Sequence, residues 1–116
     1  MTTGQEWLVD ASGCDPEKLR DSRSLAALFE ELVVALELKV IGSPQWHSFP
    51  GAGGVTGLAL LSESHLAIHT FPETGFAALN VYSCRTRTGP DFTDLCRRHL
   101  GAARVTVREL ARGERS

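Results

Sequence analysis

The chain has 116 residues, 42% of them hydrophobic and 22% charged, with a formal net charge of −2. That length suits one domain with a modest two-layer core, and a balanced charge without a basic block excludes the electrostatic footprint of a nucleic-acid or membrane-surface binder. No apolar run approaches the roughly 18 residues of a membrane-spanning helix.

The N-terminus, MTTGQEW, is polar and lacks the basic and apolar regions of a signal peptide. Three irregularly spaced cysteines, Cys14, Cys84 and Cys96, fit a reducing cytoplasm better than a disulfide framework. Residues 6–11 (EWLVDA) read as a short strand ending in a turn at Gly13 and Pro16. Residues 21–38 read as a helix with Ser22 or Ser24 as N-cap. Leu25, Leu28, Phe29, Leu32, Val33 and Leu36 form its apolar stripe, with Glu30, Glu31 and Glu37 off it. A second strand is expected at 39–41, ended by Gly42-Ser43-Pro44. The following QWHSFPGAGGVTG reads as a loop. It carries Trp46, His47 and Phe49, and exposed loops with such residues are frequent ligand sites. Its glycines are not a phosphate-binding fingerprint, which needs a following helix where this run leads into a strand.

Three closely spaced strands follow at 55–61, 65–70 and 76–83, then a polar connection at 85–89. Asp91 and Gly101 are the N-cap and C-cap of a helix at 92–100. A last strand occupies 104–110, and 111–116 is a charged tail. The expected fold is α+β: one domain, 1–116, a two-layer sandwich with a mainly antiparallel sheet and two helices on one face.

The chemistry concentrates in LSESHLAIHT (61–70) and its continuation FPETGFAALNVYSC. A strand–strand tip there carries Glu63, Ser64 and His65 in succession, with His69 four residues on and Cys84 at the end of the next strand. In a generic hairpin Ser64 is a turn former, Cys84 a small core hydrophobe, and the two histidines half-buried strand residues. The HxxxH spacing suits a metal on a helix face, not on a strand.

ESH followed by IHTFPE and GFAALNVYSC resembles the bacterial and archaeal S-adenosylmethionine decarboxylase proenzymes, densely from His47 to Cys84 and collinearly over most of the chain. The resemblance implies self-cleavage between Glu63 and Ser64. The Ser64 hydroxyl attacks the Glu63 carbonyl to give an ester; loss of the Cα proton eliminates the ester, and the dehydroalanine hydrolyses to a ketone. The products are chain 1–63 and chain 64–116, headed by a pyruvoyl group that condenses with the substrate amine as PLP would. It further implies His69 as processing base, Cys84 as proton donor, and Thr56 as support for the oxyanion in place of the family's serine. Phe49 would stack on adenine and Glu73 reach the ribose, with Phe71 on the substrate side. No metal and no PLP are expected. The expected partners are a small-molecule substrate and a second copy, in at least a homodimer.

Several positions depart from the family pattern: Phe71 for tryptophan, Asn80 for aspartate, Ser83 for threonine, Arg85 for glycine and Thr56 for serine. They cluster on the substrate side, so two alternatives to S-adenosylmethionine decarboxylation stand beside it: the same chemistry on arginine or ornithine, and a non-cleaving regulatory paralogue.

Overall fold

In the computed structural model, which describes residues 3–113, the chain runs β1 (Gly4–Ser12), α1 (Pro16–Arg20), α2 (Ser22–Ala35), β2 (Gln45–Ser48), β3 (Val55–Leu61), β4 (Ser64–Phe71), β5 (Phe76–Ser83), α3 (Phe92–Leu100) and β6 (Arg104–Arg112). The strands form one sheet in the order β2-β3-β4-β5-β1-β6, with every neighbouring pair antiparallel. Met1, Thr2 and residues 114–116 of the expected tail lie outside the described residues. Among the described residues no helix is long and apolar enough to cross a membrane.

Strand alternation divides the sheet into two faces. Trp7 and Val9 of β1, Leu66 and Ile68 of β4, and Leu79 and Val81 of β5 are buried toward the helices. They meet Leu25, Leu28, Phe29 and Leu32 of α2 and Phe92, Leu95, Cys96 and Leu100 of α3. The Trp7 and Phe92 rings lie 5.8 Å apart at the centre of this layer. The opposite face carries Thr56, Leu58 and Leu60 of β3, His65, His69 and Phe71 of β4, Asn80 and Tyr82 of β5, Glu6 of β1, and Leu110 of β6. Among the described residues no second layer covers it, and Leu58, Leu60, Phe71 and Leu110 are exposed there.

The expected α+β class holds, with three corrections. The layer has three helices: the turn at Pro16 is a helix, started by Pro at its first positions and by the Asp15 carboxylate accepting from Glu17 N–H. One turn and a half is too short to show periodicity. The long helix is capped by Asp21, not Ser22 or Ser24, and ends at Ala35, where Glu37 takes a positive φ of 53°. Residues 39–41 give only an isolated bridge, Val40 to Leu61; the edge strand is instead Gln45–Ser48, inside the expected loop. An exposed edge strand buries neither face and so leaves no alternation to read. Its anchor is Trp46, whose ring covers Gly57 of β3 and packs 5.0 Å from Phe29.

Candidate active site

Two hairpins position the reactive tip. The PETG turn pairs Phe71 with Phe76, and from there the register runs down β4 and β5 to set Ser64 opposite Ser83. The loop between β3 and β4 holds only Ser62 and Glu63, and both are tied from outside it. Ser62 N–H donates to Lys39 C=O (3.0 Å), and Cys84 N–H donates to Glu63 C=O (2.7 Å). The Arg85 guanidinium donates to the Glu63 carboxylate at 2.6 Å. Arg85 follows Cys84 directly in the chain, but its guanidinium is engaged by Glu63. Cys84 itself is exposed.

Ser64 lies on the helix side of β4, 8% exposed, and its buried Oγ has no hydrogen-bond partner. A buried polar atom is seldom left so. Next to it is a carbonyl already held by a backbone N–H, as a developing oxyanion requires. A sheltered nucleophile thus sits beside a polarised electrophile.

The other expected site residues gather elsewhere. Phe49, Thr56, His69, Phe71 and Glu73 line one cleft of about 350 Å³, together with Pro50, Ala52, Gly54 and Thr70. His69 Nδ1 and Thr56 Oγ1 are 3.1 Å apart, and the His47 ring meets Phe49 edge-on at 4.5 Å. Gly54 lets the aromatic loop close onto β4, because a Cβ there would stand 2.7 Å from Thr70 C=O. Within one protomer the groups stay apart. His69 lies five residues along β4 from Ser64, about 16 Å at strand rise, and an odd step places it on the opposite face. The chain brings Ser64, Glu63 and Cys84 together, and His69, Thr56, Phe49, Phe71 and Glu73 together, but not the two groups.

Behind the tip on the outer face, His65 Nε2 is 3.0 Å from Asn80 Oδ1, and Asn80 Nδ2 donates to Glu6 Oε2 at 2.7 Å. Arg112 donates to the other Glu6 oxygen, and the His65 ring stacks on Tyr82. The Asn80 hydrogen bond, and then Arg112, hold the Glu6 carboxyl below the usual carboxylate range against the opposing effect of burial. Here the departure from aspartate has a reason: an ionised aspartate could not donate to Glu6. Each histidine of the HxxxH pair is engaged by its own neighbour. Among the described residues no group of three or more His, Cys, Asp or Glu is placed to hold a metal.

Two residues of the tip carry contacts that the sequence did not reveal, Ser83 among them although its departure from threonine was visible. Ser83 is fully buried, and its Oγ accepts from Arg85 N–H (3.2 Å) and from the Arg87 guanidinium (3.0 Å). Arg87 also donates to Leu36 C=O at the end of α2, and its backbone N–H to Gln5 Oε1 at 2.7 Å. Ser83 could have been found by counting outward from the PETG turn. Arg87 sits in an irregular connection that carries no such signal.

Comparison with known proteins gives the family and the fold. The family model described as S-adenosylmethionine decarboxylase matches residues 5–113. A relative from Pyrococcus furiosus called S-adenosylmethionine decarboxylase proenzyme is 35% identical over 113 residues, which cover 97% of this chain and 80% of the relative. One of the same name from Pelotomaculum thermopropionicum is 35% identical over 95% of this chain and 86% of its own. The crystal structure of the adenosylmethionine decarboxylase from Aquifex aeolicus superposes with a TM-score of 0.79 at 30% identity, covering 99% of this chain and 94% of that one.

Proposed function

The chain belongs to the S-adenosylmethionine decarboxylase family, and from that premise we propose that it cuts itself before Ser64 and then decarboxylates S-adenosylmethionine, supplying the aminopropyl donor for spermidine synthesis. The observation that carries this reading is the buried, unpartnered Ser64 hydroxyl beside a Glu63 carbonyl held by Cys84 N–H. Attack by that oxygen puts negative charge on the carbonyl oxygen, where the Cys84 donor already points. The same pair fits formation of a pyruvoyl group at residue 64, at the head of chain 64–116. That group, when formed, supplies the electron sink for decarboxylation.

The cleft supplies the rest. Thr56 Oγ1 holds His69 at Nδ1, and the tautomer with its hydrogen on Nδ1 leaves Nε2 as the base for the Ser64 Cα proton. Phe49 offers a face to adenine and to the sulfonium cation. Glu73 accepts hydrogen bonds from the ribose hydroxyls. Cys84, exposed at the tip, returns a proton to carbon. Arginine or ornithine has neither a flat base nor a vicinal diol for these residues to recognise, which favours the nucleoside substrate.

Because the two groups of residues are separated in one protomer, the working unit is a homodimer in which each Ser64 tip meets the His69 cleft of the other copy. An isologous contact makes two such sites at once, since whatever one protomer contributes it also receives. The uncovered sheet face with Leu58, Leu60, Phe71 and Leu110 is the surface a second copy would cover. Three free cysteines, two of them buried, suit the reducing cytoplasm.

The test is intact mass followed by turnover. Wild-type protein should resolve into chains 1–63 and 64–116, Ser64→Ala should stay whole, and the cut protein should release carbon dioxide from S-adenosylmethionine. Carbon dioxide from arginine or ornithine and not from S-adenosylmethionine would overturn the substrate, and an uncut wild type would overturn the mechanism.

A further inference from the structure

Ser64 and Ser83 face each other across β4 and β5, both buried, both on the helix side. Cys84 N–H on Glu63 C=O makes residues 63 and 84 a hydrogen-bonded pair of the ladder. The next pair is therefore of the non-bonded kind, in which Cα atoms come to about 4.5 Å and side chains are closest. A serine hydroxyl has two lone pairs and one hydrogen. On Ser83 two N–H groups, from the Arg85 backbone and the Arg87 guanidinium, occupy the oxygen as acceptor. What Ser83 has left to give is its hydrogen, and the buried oxygen without a partner is Ser64 Oγ.

We propose that Ser83, polarised from behind by Arg87, is a catalytic residue of self-cleavage: its O–H stabilises the charge that collects on the Ser64 oxygen as the ester breaks. This rests on the self-cleavage reading above. After the acyl shift, Ser64 Oγ is the bridging oxygen of an ester to the Glu63 carbonyl carbon. Elimination takes the Ser64 Cα proton to the base, forms the Cα–Cβ double bond and breaks the Oγ–Cβ bond. The electron pair of that bond goes to Oγ, which leaves as one oxygen of the new Glu63 α-carboxylate. Its other oxygen is the former carbonyl oxygen, on which Cys84 N–H already sits. The pair Cys84 N–H and Ser83 O–H thus forms a receiving cradle for the newly cut chain end.

Arg87 is suited to its part because it is fixed. Its contacts reach the end of β5, the end of α2 and, through Gln5, β1. Arg85, the other nearby cation, is engaged by the Glu63 side chain, and the Glu109 carboxylate is occupied by Gln5 and Trp7. Arg87 acts through Ser83 and is a positioning residue.

The experiment follows freshly made protein by intact mass with and without hydroxylamine, which cuts the ester but not the peptide. Ser83→Ala and Arg87→Gln should accumulate a hydroxylamine-labile chain and form the cut, pyruvoyl-headed chain on the order of a hundred- to a thousandfold more slowly than wild type. Ser83→Thr and Arg87→Lys should recover most of the rate, a rescue that mere loss of packing would not give. If Ser83→Ala fails to fold, as judged by circular dichroism, Arg87→Gln reads the same step with the Ser83 hydroxyl intact. Wild type alongside separates the two readings. An uncut wild type overturns self-cleavage and this proposal with it. A cut wild type matched in rate by Ser83→Ala, or slowing without any labile ester, overturns this proposal alone.

Discussion

Asn80 joins His65 to Glu6, accepting with one side-chain atom and donating with the other. Replacing it by aspartate would set two carboxylates against each other, each raising the other's pKa. In the natural protein Glu6 is held low, so its contribution is complete above the unfolded carboxylate value of about 4.3 and is lost as pH falls through the lower folded value. Asn80→Asp should cost about 1–3 kcal/mol at neutral pH. That gap should narrow toward pH 5 as one of the two carboxyls takes a proton; a pH series of urea unfolding, compared with wild type, measures it. A gap independent of pH would mean that the network is not electrostatic. At this scale the sequence was informative where reactive residue types sit in a fixed local pattern: Ser64, His69 and Cys84 stand out as candidates that way. The Arg85 contact to Glu63 does not, because where a flexible guanidinium ends is decided by whichever carboxylate the fold brings near.

The edge strand β2 shows why elements differ in legibility. The strands of the sheet interior have one face in the core and write period-two patterns into the sequence, and β5 and α3 match the expected ends. Strand β2 is exposed along nearly its whole length, and what holds it is one side chain, Trp46, lying across Gly57. A Cβ on Gly57 would stand 2.2 Å from Trp46 Cζ3. Gly57→Ala should therefore destabilise the protein by about 1–3 kcal/mol, through an overpacking that must push the indole aside. Because β2 leads directly into the loop of Phe49, the same substitution should raise KM for S-adenosylmethionine in the protein that has cut itself. Urea unfolding, substrate kinetics and intact mass together read these effects. Unchanged stability would show that Trp46 does not hold the edge.

Among the described residues, helices cover one face of the sheet only, and under the proposed homodimer a second copy covers the other. The α+β class followed from the order of strands and helices, since amphipathic helices must bury their stripes on the sheet. The division of the site between the two ends of β4 was not legible, because sequence neighbours such as Ser64 and His69 look close until strand rise and alternation separate them. The most direct test makes each half-site in a different chain. Ser64→Ala and His69→Ala, carrying different tags, are co-expressed and the mixed dimers are isolated through both tags. One site of such a dimer keeps Ser64 from the His69→Ala chain and His69 from the Ser64→Ala chain. The His69→Ala chain should then appear as 1–63 and 64–116 in the mixed dimer although it stays whole when expressed alone. If both chains stay whole in the mixed dimer while the wild type is cut, the site is not shared between protomers and the account is contradicted.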